Sequence, residues 1–323
     1  MKLIKYVLIA ICLLNISYTL STERELYVNN FNNILGSYRL ETELLEFVKN
    51  HEINTLILYD LHKINKRFPL GDETKNGVLA SFIVKAKVEY GIQKISASGE
   101  SGDFFTNVIH PYNISRKNSK EKIDIYNLEY EYWDEESSSN KGYYCKSYLK
   151  DSYQKCNREN SFKFYIESLK IMRKLANEID HPIQIEAYIG KFTEKEVQNI
   201  SNHVDRLLIH AYVRTPQESF HYVKNRLDLL AGIDSKIKVS ILYSSEMKFL
   251  GKWFSTQSFQ TAEEIFFKDL QKEGINLKDK LNFQGFTYYN YSYFQYSLER
   301  FKNHKNKPRL FSSITNKVSR RFI

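Results

Sequence analysis

Residues Ile123–Trp133 read Ile-Asp-Ile-Tyr-Asn-Leu-Glu-Tyr-Glu-Tyr-Trp. Isoleucine, leucine and rings at this density predict a core β-strand, because branched and aromatic side chains fit a pleated, buried surface. The same stretch holds Asp124, Asn127, Glu129 and Glu131. Side chains alternate along a strand, so Asn127, Glu129 and Glu131 share one face. Buried charges are costly unless paired, and that face is therefore expected to open onto a solvated cleft or a partner network.

Outward from this strand the chain repeats one theme: a short apolar run, a turn, then an amphipathic stretch. The runs Tyr27–Leu35, Asn54–Leu61, Lys94–Ser98, Ile123–Trp133, Ile183–Ile189, Arg206–Val213, Lys238–Tyr243 and Phe283–Tyr289 read as strands, and the intervening stretches as helices. Thr193 followed by Glu196 is a capping box at one helix start. Eight alternations without a linker, in 323 residues, predict a single (β/α)8 TIM barrel whose functional side chains lie at the C-terminal strand ends. An open doubly wound sheet is the competing α/β architecture. It loses support because no Gly-rich phosphate loop follows any strand. The Ser-, Tyr- and Lys-rich segment Asp134–Glu159 reads as a long loop insertion after the fourth strand, forming part of a cleft wall.

The first residues resemble a secretory leader: Lys2 and Lys5, an apolar run Tyr6–Leu14, and the small-x-small stretch Ser17-Tyr18-Thr19. The run is too short for a membrane span. Ile11 before Cys12 argues against a lipoprotein. This divides the chain into a signal peptide at 1–19, a barrel at 20–300 and a basic tail at 301–323, with a secreted, cell-surface or periplasmic location expected. Cys145 and Cys156 then remain and are expected to pair with each other. The formal charge is +9; without Lys2 and Lys5 it is +7, and the eight Lys and Arg from Arg300 onward, with no acid among them, carry that excess. The body of the chain lacks the positive footprint of a nucleic-acid binder. Nothing in the sequence signals a metal or organic cofactor, and a monomer is expected. In the chain without its leader, three sequons stand at Asn113, Asn199 and Asn290.

At the strand ends a barrel would gather Ser96, Ser98, Asn127, Glu129, Glu131, Glu186, His210, Tyr212, Tyr243, Glu246 and Tyr289. A general acid needs a carboxyl held near a second carboxylate or an apolar wall, and Glu131, with Glu129 on its face and Trp133 nearby, has that setting. With 24 Tyr and 21 Phe in the chain, aromatic faces for sugar stacking are plentiful.

Asp124-x-x-Asn127-x-Glu129-x-Glu131 resembles the D-x-x-D-x-D-x-E signature of glycoside hydrolase family 18, the chitinases and endo-β-N-acetylglucosaminidases. Ser96-Ala97-Ser98-Gly99 resembles that family's S-x-G-G segment, His210-Ala211-Tyr212-Val213 its M-x-Y-D segment, and Tyr289 stands where it usually has tryptophan. The resemblance implies substrate-assisted retaining hydrolysis of N-acetylglucosamine-containing glycans. Glu131 would be the general acid and Glu129 would orient the acetamido group. Tyr212 would donate to its carbonyl, with Asn127 and Asp124 in support. Trp133, Tyr289, Ser98, His210, Glu186 and Tyr243 would contact the sugar. Two alternatives stand beside it. One is a retaining glycosidase with Glu131 as acid/base and Glu246 as nucleophile. The other is a carbohydrate-binding barrel without catalysis, consistent with Asn127, Glu129 and Val213 in place of the family's aspartates.

Overall fold

Parallel strands need a crossover between them, and here each apolar run is followed by at least one helix that covers the sheet's outer face. The computed structural model describes residues 22–150, 155–233, 237–273 and 275–305. The leader at 1–19 and the tail beyond residue 305 lie outside the described residues. Strands β1 (Glu23–Val28), β2 (Thr55–Leu58), β3 (Lys94–Gly99), β4 (Ile125–Leu128), β5 (Gln184–Ile189), β6 (Arg206–Ala211), β7 (Lys238–Ser244) and β8 (Asn282–Tyr289) pair in sequence order, and β8 returns to β1. All eight pairings are parallel. The chain is a closed (β/α)8 barrel.

Helix Glu194–Ser201 starts on the capping box at Thr193 and Glu196. Helix Arg158–Asn177 packs Tyr165, Leu169 and Met172 inward. Asn113 and Asn290 are buried, whereas Asn199 is exposed, which leaves one of the three sequons open to the surface.

The largest differences from the pattern in the sequence are at the first and fourth strands, and the second ends at Leu58, with Leu61 opening a helix. The first strand begins at Glu23, and the expected Tyr27–Leu35 run leaves the sheet after Val28 for a short helix, Phe31–Ile34. Glu23, Arg24 and Glu25 look too polar for a core strand, but their partners are remote in sequence. Arg24 makes a two-pronged ion pair with Glu263 on helix Phe259–Lys272, at 2.8 Å from each oxygen. Glu25 points into the barrel. The fourth strand ends at Leu128, so Glu129 and Glu131 stand just beyond the sheet.

The lower barrel interior is ionic. Arg206, 1% exposed, contacts Glu25, reaches Glu186 at 2.6 Å and Glu23 at 2.8 Å. Glu186 accepts from Asn127 Nδ2 at 2.7 Å, and Thr287 Oγ1 donates to Glu25 at 2.9 Å. The network thus joins β1, β4, β5, β6 and β8. One guanidinium does not neutralise three carboxylates. Burial raises the Glu25 carboxyl, up to about 8, against the pull of Arg206 and with the push of Glu186.

A carboxyl raised in the folded chain keeps its proton while the unfolded chain loses it, so its contribution to stability declines as pH rises through that window. The thermal midpoint should fall between about pH 5 and pH 8. Glu25→Gln, neutral at every pH, should remove ~3 °C or more of that fall. An identical slope in the variant would mean that Glu25 is ionised throughout.

Candidate functional site

The C-terminal strand ends surround a cleft of about 400 Å³ lined by Tyr59, Asp60, Ser98, Glu100, Glu129 and Tyr289, with Tyr143 and Tyr148 from the loop after β4. Glu129 owes its place to β4 and β3 together. Its backbone N–H donates to Gly99 O at 2.9 Å, extending the ladder by one residue, and Ser98 Oγ donates to its Oε2 at 3.0 Å. Burial pushes the Glu129 carboxyl up to about 7. The Tyr59 and Ser98 hydroxyls pull it down, and Glu131 and Glu100 push it further up. A carboxylic acid that holds its proton near neutrality and faces a cleft can deliver that proton to a bound molecule.

Glu131 lies on the same side of the chain but closer to β5. Burial raises its carboxyl and the Tyr188 hydroxyl opposes the shift. Its backbone N–H donates to Tyr144 Oη at 3.0 Å, which fastens this turn to the insertion. Tyr130, between the acids, and Tyr132, after them, are buried in the core, where Ser161 Oγ donates to Tyr130 Oη at 3.0 Å.

The cleft floor is a cluster of rings. Tyr27 stacks on Tyr59 at 5.2 Å and meets Tyr289 edge-on at 5.9 Å, and Tyr212 lies 6.4 Å from Tyr289. Tyr27 Oη donates to Asn127 Oδ1 at 3.3 Å, so this floor rests on the interior polar network. The Tyr59 hydroxyl is buried and faces the Glu129 carboxyl. One wall is the insertion, where the Cys145–Cys156 disulfide, Cα to Cα 5.3 Å, closes the loop. Tyr143 and Tyr148 hydroxyls both donate to Glu100 Oε2 at 2.6 Å and so clamp that wall onto the turn after β3.

Of the candidates from the sequence, Ser98, Glu129 and Tyr289 line this cleft, with Glu131 and Tyr212 adjacent. The others are elsewhere. Asp124 precedes β4 at the opposite end of the barrel, accepting from Ile95 N–H at 2.8 Å and pairing with Lys87 at 2.7 Å. Asn127 and Glu186 are interior, a layer below the cleft. Tyr243 points outward, stacks on Phe286 at 5.3 Å and bonds Ser219 on helix Pro216–Gly232. Trp133 is 8% exposed, enclosed by Tyr132, Tyr188 and the backbone of Gly190, where an added Cβ would strike its ring. His210 is wedged between the Tyr188 hydroxyl at 3.1 Å and the Tyr222 hydroxyl at 3.3 Å. Burial, with Arg226 and Lys191, lowers its pKa to about 3. A neutral ring with one N–H must accept from one tyrosine and donate to the other. Glu246 accepts from Ser244 Oγ and pairs with Lys248.

Tyr59 and Glu100 are absent from the sequence-derived set, although the strand-end rule points to both: one directly follows β2 and the other β3. Among the described residues no group of three or more His, Cys, Asp or Glu could hold a metal ion.

No family model matches the chain, and no curated protein matches it. Solved structures with a similar backbone include a family 18 chitinase from Crocus vernus, at 11% identity and TM-score 0.45 over 88% of this chain and 97% of that one. A GH53 catalytic domain from Ignisphaera aggregans aligns at 11% and 0.49 over 85% and 86%. A 2,3-dimethylmalate lyase of the PEP mutase/isocitrate lyase superfamily aligns at 8% and 0.44 over 93% and 88%. Their activities differ from one another, and likeness at this level says nothing of the chemistry of this chain.

Ser98→Ala removes a donor to the ionised form of Glu129. Its titration, followed by carbon NMR of labelled glutamate, should move up by about one pH unit. An unmoved titration would show that Ser98 does not hold this carboxyl.

Proposed function

We propose that the chain is a glycoside hydrolase acting on N-acetylglucosamine-containing glycans, and that Glu129 supplies the proton. The observation that carries this reading is the Glu129 carboxyl, raised to about 7 inside a cleft floored and walled by tyrosines. Apolar ring faces bind the flat faces of sugars, and a carboxylic acid kept neutral near pH 7 is what departure of a glycosidic oxygen requires. The geometry favours Glu129 over Glu131 as donor, because Glu129 lines the cleft while Glu131 is turned towards Tyr188.

In the substrate-assisted course, the sugar's acetamido oxygen bonds to the anomeric carbon as the glycosidic bond breaks. Glu129 passes its proton to the departing oxygen. Water then attacks the anomeric carbon and gives a proton back to the Glu129 carboxylate, while the acetamido oxygen is released. Glu131 and Tyr212 border the space where the acetamido group would lie. This course needs no protein nucleophile, and the Lys248 pairing of Glu246 weighs against its acting as one. The disulfide, and the absence among the described residues of a helix long and apolar enough to cross a membrane, are compatible with export.

A fluorogenic N,N′-diacetylchitobioside and a high-mannose glycoprotein are suitable substrates. Glu129→Gln should cut kcat by about 10²–10⁴-fold, and Glu131→Gln should cut it less. Because the acid must be protonated, wild-type kcat should fall as pH rises past about 7. Full turnover in Glu129→Gln would overturn the assignment. Glycan binding without turnover in the wild type would make the chain a carbohydrate-binding barrel.

A further inference from the structure

A second groove, of about 560 Å³, lies between the segment after β6 and the segment after β7. Phe249, Trp253 and Met247 give it an apolar base, and Arg214, Lys248 and Lys252 stand along it. Lys248 is paired with Glu246 at 3.2 Å. Arg214 and Lys252 are exposed and enter no ion pair among the described residues. A row of rings runs from the groove to the cleft floor: Phe249 packs on Tyr212 at 5.2 Å, and Tyr212 lies 6.4 Å from Tyr289.

From this arrangement we infer that the groove is an extended subsite for an anionic saccharide, a chain whose units beyond the cleft carry a carboxylate or sulfate. This rests on the glycan reading of the cleft and specifies the substrate class. A sugar seated on Tyr289 and continuing past Tyr212 reaches Phe249 and Trp253, whose rings would take the next pyranose faces. The cations flank that track. Guanidinium matches the planar, two-oxygen geometry of a carboxylate, and ammonium supplies a point charge beside it. The body of the chain carries no overall positive excess to explain three cations at one groove, since that excess lies from Arg300 onward.

Calorimetry on the Glu129→Gln protein tests this with two hexasaccharides: one of alternating N-acetylglucosamine and glucuronate, and the same chain with its carboxyls reduced to alcohols. The charged form should bind about fivefold tighter at low salt, and the preference should shrink as salt screens the exposed cations. In Arg214→Ala/Lys252→Ala, both surface positions, the ratio should collapse towards one. Equal affinity for the two chains, or a ratio unchanged in the double variant, would overturn the anionic subsite while leaving the glycan cleft intact. Failure of both chains, and of a neutral chitin hexasaccharide, to bind would overturn the cleft reading and the subsite with it.

Discussion

Arg206 sits in the barrel interior with carboxylates from two other strands around it. A guanidinium in that position is tolerable only when every partner is in place, because an unpaired buried charge costs far more than a lost contact between apolar groups. Its partners come from β1 and β5, and hydrogen bonds from Asn127 and Thr287 extend the set to β4 and β8. Sliding any of these strands by one residue would turn its polar group to the outer face and leave the others unmatched. The ionic layer therefore fixes the order and register that apolar packing alone would leave more permissive.

Above that layer Tyr27 joins the polar interior to the cleft. Tyr27 gives its hydroxyl to Asn127 and its ring to Tyr59 and Tyr289, so the floor of the cleft is seated on the polar interior. Asparagine at 127 suits this place. It offers an N–H to Glu186 and an oxygen to Tyr27, where an aspartate would set a second carboxylate against Glu186. The departure from the family 18 pattern at this position thus has a local reason within the barrel.

Strand-helix alternation made the barrel legible, because seven of its strands are short apolar runs with clear turns. β1 was obscured by Glu23, Arg24 and Glu25, whose compensating partners Arg206 and Glu263 lie far along the chain. Alternation put Asn127, Glu129 and Glu131 on one side, yet the strand ends at Leu128 and alternation carries no measure of depth. Each two-residue step climbs about 6.6 Å along a strand, which is enough to move Asn127 and Glu186 from the cleft to the interior. Asp124 and Tyr243 fall on the opposite parity from their inward-facing neighbours and so point outward, a distinction the motif spacing alone conceals. Tyr143 and Tyr148 belong to the segment expected as a cleft wall, but only the fold brings them to Glu100.

The insertion after β4 is tied to itself by Cys145–Cys156 and meets the turn after β3 at one carboxylate, Glu100, while the ionic layer lies deeper in the barrel. The ionic layer and the cleft wall are thereby separate parts of the molecule. The wall is also keyed to the core: Tyr144 Oη accepts from the Glu131 N–H, its ring packs on Tyr130 at 4.0 Å, and Ser138 bonds Ser161. Exchanging that segment would therefore disturb the packing of buried Tyr130 as well as the wall of the cleft.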